Sequence, residues 1–319
     1  MSMEEAIRDF HRQFGFRPSV RYGKVLARAR RFVVGGMGGS AYAADLLRGS
    51  VRALDLSVHR TYGIPDAVRD DPDSYLAIAS SYSGNTEEAI DFARTALGVG
   101  VPLAALTTGG ALLAFAEAHE IPHVVLPAVG LQPRSALGFS MLGLAALTGS
   151  EHLLGELAAL EGRLDPTAQE AAGRMLADSL GERIPVIYAS EENRALANNW
   201  KIRLNETGKI PAYYDVFPEL NHNEIEGHSQ ARHSGRFHFL FLTDALDHPR
   251  VARRMELTRS LYETCGRRVT ELPLAGERRL ERLLGSLVLA DWTALYLARA
   301  RGVDPERVDM IERLKGELG

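Results

Sequence analysis

The sequence predicts an α/β protein of two subdomains, each a parallel sheet flanked by helices in a doubly wound αβα sandwich. Three observations lead there. Short apolar runs end in glycine- and serine-rich turns, and each turn is followed by a helical pattern. The same alternation restarts after residue 180. At 319 residues, with 45% hydrophobic and 24% charged side chains, the chain is long enough to bury two cores.

The elements follow in order. An apolar run at 32–34 ends in Gly35-Gly36-Met37-Gly38-Gly39-Ser40 and precedes a helix at 41–48. A second strand, 75–80, runs into Ser81-Tyr82-Ser83-Gly84-Asn85-Thr86 ahead of a helix at 87–97. Strand 103–106, the turn Thr107-Thr108-Gly109-Gly110, helix 111–119 and strand 123–126 complete the series. A mostly apolar helix at 137–162 bridges to the second half, and Asp165-Pro166 opens another at 164–180 with proline in its first turn. Strands at 186–189, 212–216, 237–243 and 269–272 then interleave with helices at 192–205, 249–264 and 277–301. Val303-Asp304-Pro305 interrupts the chain before a last helix at 306–318. The domains expected are 1–163 and 164–319.

A net charge of −4 and a pI of about 6.2 give no reason to expect nucleic acid or an anionic membrane as partner. The single cysteine, Cys265, excludes an intrachain disulfide and reads as a packing residue at a helix end. The acidic, amphipathic start lacks the pattern of a signal peptide. The most apolar stretch, 283–297, contains Asp291 and reads as a buried helix, so a cytoplasmic location is expected. Of the 37 basic residues only Lys24, Lys201, Lys209 and Lys315 are lysines. Arginine is the general surface cation here, which makes each retained lysine a better functional candidate.

The sharpest local signal is Ser81-Tyr82-Ser83-Gly84-Asn85-Thr86-Glu87-Glu88, where a buried strand meets a helix. Backbone N–H groups at such a turn lack internal partners, the helix dipole favours an anion, and hydroxyls at Ser81, Ser83 and Thr86 add donors. These features suit a phosphomonoester. The bare pattern is equally that of an ordinary helix cap with two glutamates in the first turn. Gly35 to Ser40 is a second candidate cradle. Its spacing Gly36-x-Gly38-x-x-Ala41 imitates a dinucleotide fingerprint, but no acidic residue ends a clear second strand, since Asp55 in Leu54-Asp55-Leu56-Ser57-Val58 comes too early.

Gly36-Met37-Gly38-Gly39-Ser40 together with Ser81-Tyr82-Ser83-Gly84-Asn85-Thr86 resembles the bifunctional phosphoglucose/phosphomannose isomerase family, a branch of the SIS-domain proteins. The likeness continues through Pro133-Arg134-Ser135-Ala136-Leu137, Arg203-Leu204-Asn205-Glu206, Glu219-Leu220-Asn221-His222-Asn223-Glu224 and Ile311-Glu312-Arg313-Leu314-Lys315. The order holds over nearly the whole chain. The resemblance implies two SIS-type subdomains and a phosphate held by Gly38, Gly39, Ser40, Ser81, Ser83 and Thr86. It implies that Glu206 moves a proton between C1 and C2, that His222 and Lys315 open the sugar ring, and that Arg134 stabilises the enediolate. It further implies a sugar-phosphate substrate, no cofactor, and a homodimer in which His222 acts in the partner's site. Thr207-Gly208-Lys209 departs from the usual Asn-Ala-Lys, and Tyr42 replaces a smaller residue.

The chemistry needs these groups. Aldose–ketose isomerisation removes a weakly acidic proton beside a carbonyl and returns it one carbon away, which one carboxylate does without metal. Without the surrounding motifs, Glu206 would read as a helix-end carboxylate paired with Lys209, Arg134 as one surface arginine among many, and Lys315 as a helix-end lysine. Two other classes stay open. His222, Glu224, Glu226, His228, His233 and His238 could ligate a metal, although their spacings match no standard set. A non-catalytic SIS-type regulator would need the phosphate turns but not Glu206, His222 or Lys315.

Overall fold

The computed structural model describes residues 1–26, 29–51, 54–230 and 235–318. The chain divides into two compact units, Arg8–Leu164 and Asp165–Gly319, with Ser2–Ile7 belonging to the second. Helix α1 (Met3–Arg8) accordingly joins the C-terminal unit: the Met3 N–H donates to Glu306 Oε1 at 2.6 Å, and Glu4 pairs with Arg299.

The first unit runs β1 (Val20–Arg21), β2 (Arg31–Gly35), α2 (Gly38–Ser50), β3 (Asp55–His59), α3 (Asp66–Asp70), β4 (Tyr75–Ser81), α4 (Glu87–Gly98), β5 (Leu103–Thr107), α5 (Gly110–Ala118), β6 (His123–Val125), α6 (Leu137–Leu147) and α7 (Glu151–Ala158). Its strand order is β1-β6-β5-β4-β2-β3. All neighbours pair in parallel except β1, which lies antiparallel to β6. The sheet is therefore parallel, as expected, apart from this one edge; a two-residue edge strand carries no readable periodicity. Strand β3 is not among the expected strands, because only Leu56 is buried along it and edge exposure replaces the apolar run with polar residues.

Strand β4 is buried from end to end and contributes Ala77 and Ala79 to a core with Val33, Ala105, Phe92 and Leu112. Small side chains let the helices close on the sheet, and a Cβ at Gly35 would meet the Phe92 ring at 2.3 Å. The helix expected at 137–162 is broken. Gly149 turns the chain at φ +68°, and Ser150 Oγ accepts from the Leu153 N–H at 3.3 Å to start α7.

The second unit runs α8 (Glu170–Leu180), β7 (Ile184–Ser190), α9 (Arg194–Glu206), β8 (Tyr213–Phe217), α10 (Leu220–Asn223), β9 (Phe237–Thr243), α11 (Pro249–Thr264), β10 (Arg268–Pro273), α12 (Arg279–Ala300) and α13 (Asp309–Leu318). Its sheet is parallel throughout, in the order β10-β9-β7-β8. Tyr188, Phe217, Phe239, Phe241 and Tyr262 fill its aromatic core. Asp165 caps the turn before α8, as Asp-Pro suggested. Gly173 allows α8 to pack on α12, where a Cβ would lie 2.4 Å from that of Trp292.

Among the described residues α12 alone is long and apolar enough to cross a membrane, and it is largely buried. Its Asp291 explains itself: Oδ1 lies 2.8 Å from Nε of Arg203, whose side chain is 1% exposed. That buried pair fastens α9 to α12. Cys265 is exposed and free, not packed as expected. The last helix starts at Asp309 because Asp304 Oδ1 first turns the chain, accepting from the N–H groups of Glu306 and Arg307 at 2.8 and 3.3 Å.

His238 is buried on β9, its Nε2 2.8 Å from Thr270 Oγ1. Burial, and then the charges of Arg183 and Arg268, push its pKa down to about 4. The unfolded chain therefore takes up this proton first as pH falls below the ordinary histidine value. The resulting destabilisation is absent above about pH 6.5 and reaches about 2 kcal/mol by pH 5. Denaturant titrations should show that His238→Gln flattens the fall in stability between pH 7 and 5.

Candidate active site

In a doubly wound sheet the ligand crevice lies outside the carboxyl ends of the strands where the strand order reverses. In the first unit that point falls between β2 and β4, since β3 lies on one side of β2 and β4 on the other. The turns after these two strands are the two cradles seen in the sequence. They touch: Ser40 Oγ accepts from the Tyr82 N–H at 2.8 Å, and Ser80 Oγ donates to the Ser40 carbonyl at 3.0 Å. A Cβ at Gly36 would lie 2.5 Å from the Ser80 carbonyl oxygen.

Ser81 is fully buried at the end of β4 and organises its turn from within. Its Oγ accepts from the N–H groups of Gly84 and Thr86 at 3.0 and 3.4 Å and lies 2.8 Å from Thr86 Oγ1. Thr86 is the N-cap residue of α4, yet its side chain makes no capping bond, and Met37 likewise leaves the N-terminus of α2 without a side-chain cap. The simple capping arrangement allowed by the sequence is therefore not formed, and the start of each helix stays available to an anion. Ser83 is exposed at the tip, with Oγ 3.3 Å from the Asn85 N–H. Gly84, at φ +75°, lets this turn meet the next one, where a Cβ would fall 1.7 Å from the Gly109 carbonyl oxygen.

Arg134 sits in a single 3₁₀ turn, Pro133–Ser135, and is 3% exposed. It is not the surface arginine that composition alone suggests. Gly39 brings the N-terminus of α2 against this turn, since a Cβ there would lie 2.7 Å from the Arg134 backbone nitrogen. Gln13 supports the turn from behind, donating through Nε2 to the Ser135 carbonyl at 2.7 Å and accepting the Gly138 N–H at 3.0 Å. Reading the sequence missed Gln13, Ser80 and Tyr82, because each acts through long-range contacts that no local pattern announces. Burial raises the Tyr82 hydroxyl above its usual pKa, and that hydroxyl donates to the Pro127 carbonyl at 3.3 Å.

In the second unit Glu206 ends α9 and lines a cavity of about 580 Å³ with Asn205, Lys209, Arg307, Met310 and Ile311. His222 is exposed on α10, while residues beside it are fixed. Asn221 Nδ2 donates to Thr258 Oγ1 at 2.8 Å, and the Tyr188 hydroxyl donates to Glu224. His228 Nε2 approaches Glu224 Oε1 at 3.5 Å. Burial opposes ionisation of Glu224, but hydrogen bonds from His228, Tyr188 and Asp215 hold its carboxyl below the usual range. Lys315 lies on the exposed α13, 2.8 Å from Glu312, and is not among the residues lining the Glu206 cavity. Among the described residues no group of three His, Cys, Asp or Glu is placed to hold a metal ion, and His233 lies outside those residues.

Gly84→Ala is expected to lower the stability of the first unit by about 2 kcal/mol or more and to weaken phosphate binding at least tenfold. Thermal unfolding and calorimetric titration with inorganic phosphate check both; unchanged values would mean that the turn is not held by close backbone contact.

Relatives place this chain. The family model for the bacterial phospho-glucose isomerase C-terminal SIS domain matches residues 169–318. The bifunctional phosphoglucose/phosphomannose isomerase of Caldicellulosiruptor bescii is 37% identical, across 90% of this chain and 89% of that one. The protein of the same name from Aquifex aeolicus is 33% identical across 99% of both chains. In architecture the chain is similar to the tagatose-6-phosphate ketose/aldose isomerase of Escherichia coli, with a TM-score of 0.68, 16% identity, and coverage of 95% of this chain and 94% of that one. The motifs, the two doubly wound sheets and the full-length identity converge, and this chain belongs to the bifunctional phosphoglucose/phosphomannose isomerase family.

Proposed function

We propose that this protein interconverts glucose 6-phosphate and mannose 6-phosphate with fructose 6-phosphate by proton transfer through a cis-enediol. The observation that carries the reading is Glu206, a carboxylate at the end of α9 on the wall of a cavity large enough for a sugar phosphate. Glu206 takes the proton from one carbon and returns it to the next. Gly38, Gly39, Ser40, Ser81, Ser83 and Thr86 hold the phosphate; the uncapped helix starts support this, as do the protons that Ser40 and Ser83 keep for donation while their oxygens accept backbone N–H groups. Arg134 stabilises the enediolate. Its burial supports the role, because a fixed donor at a developing oxyanion contributes about 3–4 kcal/mol.

His222 and Lys315 open the sugar ring, His222 in the site of the partner within a homodimer. The exposure of His222 on an anchored segment supports an action outside its own chain. No cofactor enters the reaction. The protein works in the cytoplasm, its most apolar helix being spent on a core. A sugar-phosphate regulator without chemistry would have no use for Glu206.

Glu206→Gln should lower turnover by at least a thousandfold in a coupled dehydrogenase assay while sugar-phosphate affinity changes less than about threefold. A wild type that binds the ligand without turnover would replace the isomerase with the regulator. Mixing inactive Glu206→Gln and His222→Ala subunits should restore part of the activity, and failure after verified subunit exchange would confine His222 to its own chain.

A further inference from the structure

Just past α9, Lys209 adopts φ +51°, a left-handed backbone usually left to glycine or asparagine. Its side chain shows why a lysine stands there. Nζ donates to the carbonyl of Glu206, the last residue of α9, and to the carbonyl of Arg307 in the segment leading to α13. Its own carbonyl accepts from Arg301 at 3.5 Å, and Arg301 also reaches the Gly181 carbonyl at 3.2 Å. Lys209 lines the same cavity as Glu206. A compact ammonium with three donors in different directions can bridge two carbonyls, whereas a planar guanidinium suits a single flat acceptor pair. In a chain that otherwise favours arginine, the choice of lysine fits that geometry.

We infer that Lys209 is a positioning residue for the isomerase reaction: it pins the backbone of Glu206 to the 304–311 wall, so that the carboxylate stays aimed at the reacting carbons. The inference rests on the proposed role of Glu206. A carboxylate on a frayed helix end would sweep through several orientations, and misplacement by about 1 Å costs a proton-transfer step on the order of a hundredfold. The left-handed backbone is compatible with this function, since an unfavourable conformation persists where the surrounding contacts hold it.

The test compares Lys209→Met, which keeps side-chain length and loses the donors, with Lys209→Arg, which keeps the charge. In steady-state conversion of fructose 6-phosphate, Lys209→Met should lower kcat about ten- to hundredfold with KM within about threefold, because the phosphate ligands are elsewhere in the chain. Lys209→Arg should recover only a minor part of the loss, because a planar guanidinium does not bridge the two carbonyls. Hydrogen–deuterium exchange should rise across residues 304–311 in Lys209→Met and stay unchanged across 194–203. A wild-type kcat in Lys209→Met overturns the inference. So does a loss carried by KM, or a loss with 304–311 still protected. A wild type without turnover sinks the isomerase reading instead, and the exchange measurement then decides alone whether Lys209 pins the segment.

Discussion

Whatever the first unit does with an anion depends on backbone meeting backbone where no Cβ fits. Gly36 lies against the Ser80 carbonyl, Gly39 against Pro133 and Arg134, and Gly84 against the Gly109 carbonyl. Each contact brings one loop at the carboxyl edge of the sheet onto its neighbour, so the loops brace one another. The Tyr82 N–H donating to the Ser40 hydroxyl, and the Ser80 hydroxyl donating to the Ser40 carbonyl, then fix the register of the pair. The side chains proposed to touch phosphate thus hang on a frame set by glycines, and Arg134 enters that frame through Gly39.

The second unit repeats the topology and uses it differently. Its strand order reverses between β7 and β9, and the crevice there is occupied by the protein itself. Asp247 accepts from Ser190 Oγ at 2.5 Å, from Asn193 Nδ2 at 3.3 Å and from the Asp244 N–H at 3.1 Å. Asp244 in turn binds Arg279 at 2.6 Å and Arg282 at 3.3 Å. Burial raises the Asp247 carboxyl above its ordinary pKa, while the bonds from Ser190 and Asp244 counter that push. A carboxylate thus stands at the position analogous to the anion crevice of the first unit, and the chemistry proposed for the second unit is carried at the far end of α9.

The strands of both sheets were legible wherever burial on two faces made them continuously apolar, as at Tyr75–Ser81 and Phe237–Thr243. In the first sheet they were illegible at the edges, where Asp55 and Ser57 face outward and Val20–Arg21 is too short to show a period. The break at Gly149-Ser150 was hidden because the apolar pattern continues on both sides of it. Of the site, the turns were readable as strand-to-helix junctions, but the setting of Arg134 depends on Gln13 and Gly39, more than ninety positions away along the chain, and the inward role of Ser81 depends on a turn conformation that no residue type announces. The residue-level roles came from motif order, since a helix-end glutamate, an exposed histidine and a surface lysine look alike in any local window.

The pairing of Arg203 with Asp291 has a consequence for biosynthesis. Helix α12 emerges from the ribosome as a stretch that a translocon could sample as a membrane segment. An aspartate at its middle makes insertion costlier by about 2.5–3.5 kcal/mol. The cation that later neutralises that aspartate is translated 88 positions earlier (Arg203 to Asp291) and waits on a helix already made. One acidic residue therefore discourages entry into lipid while the chain is nascent and becomes a buried clasp once it has folded.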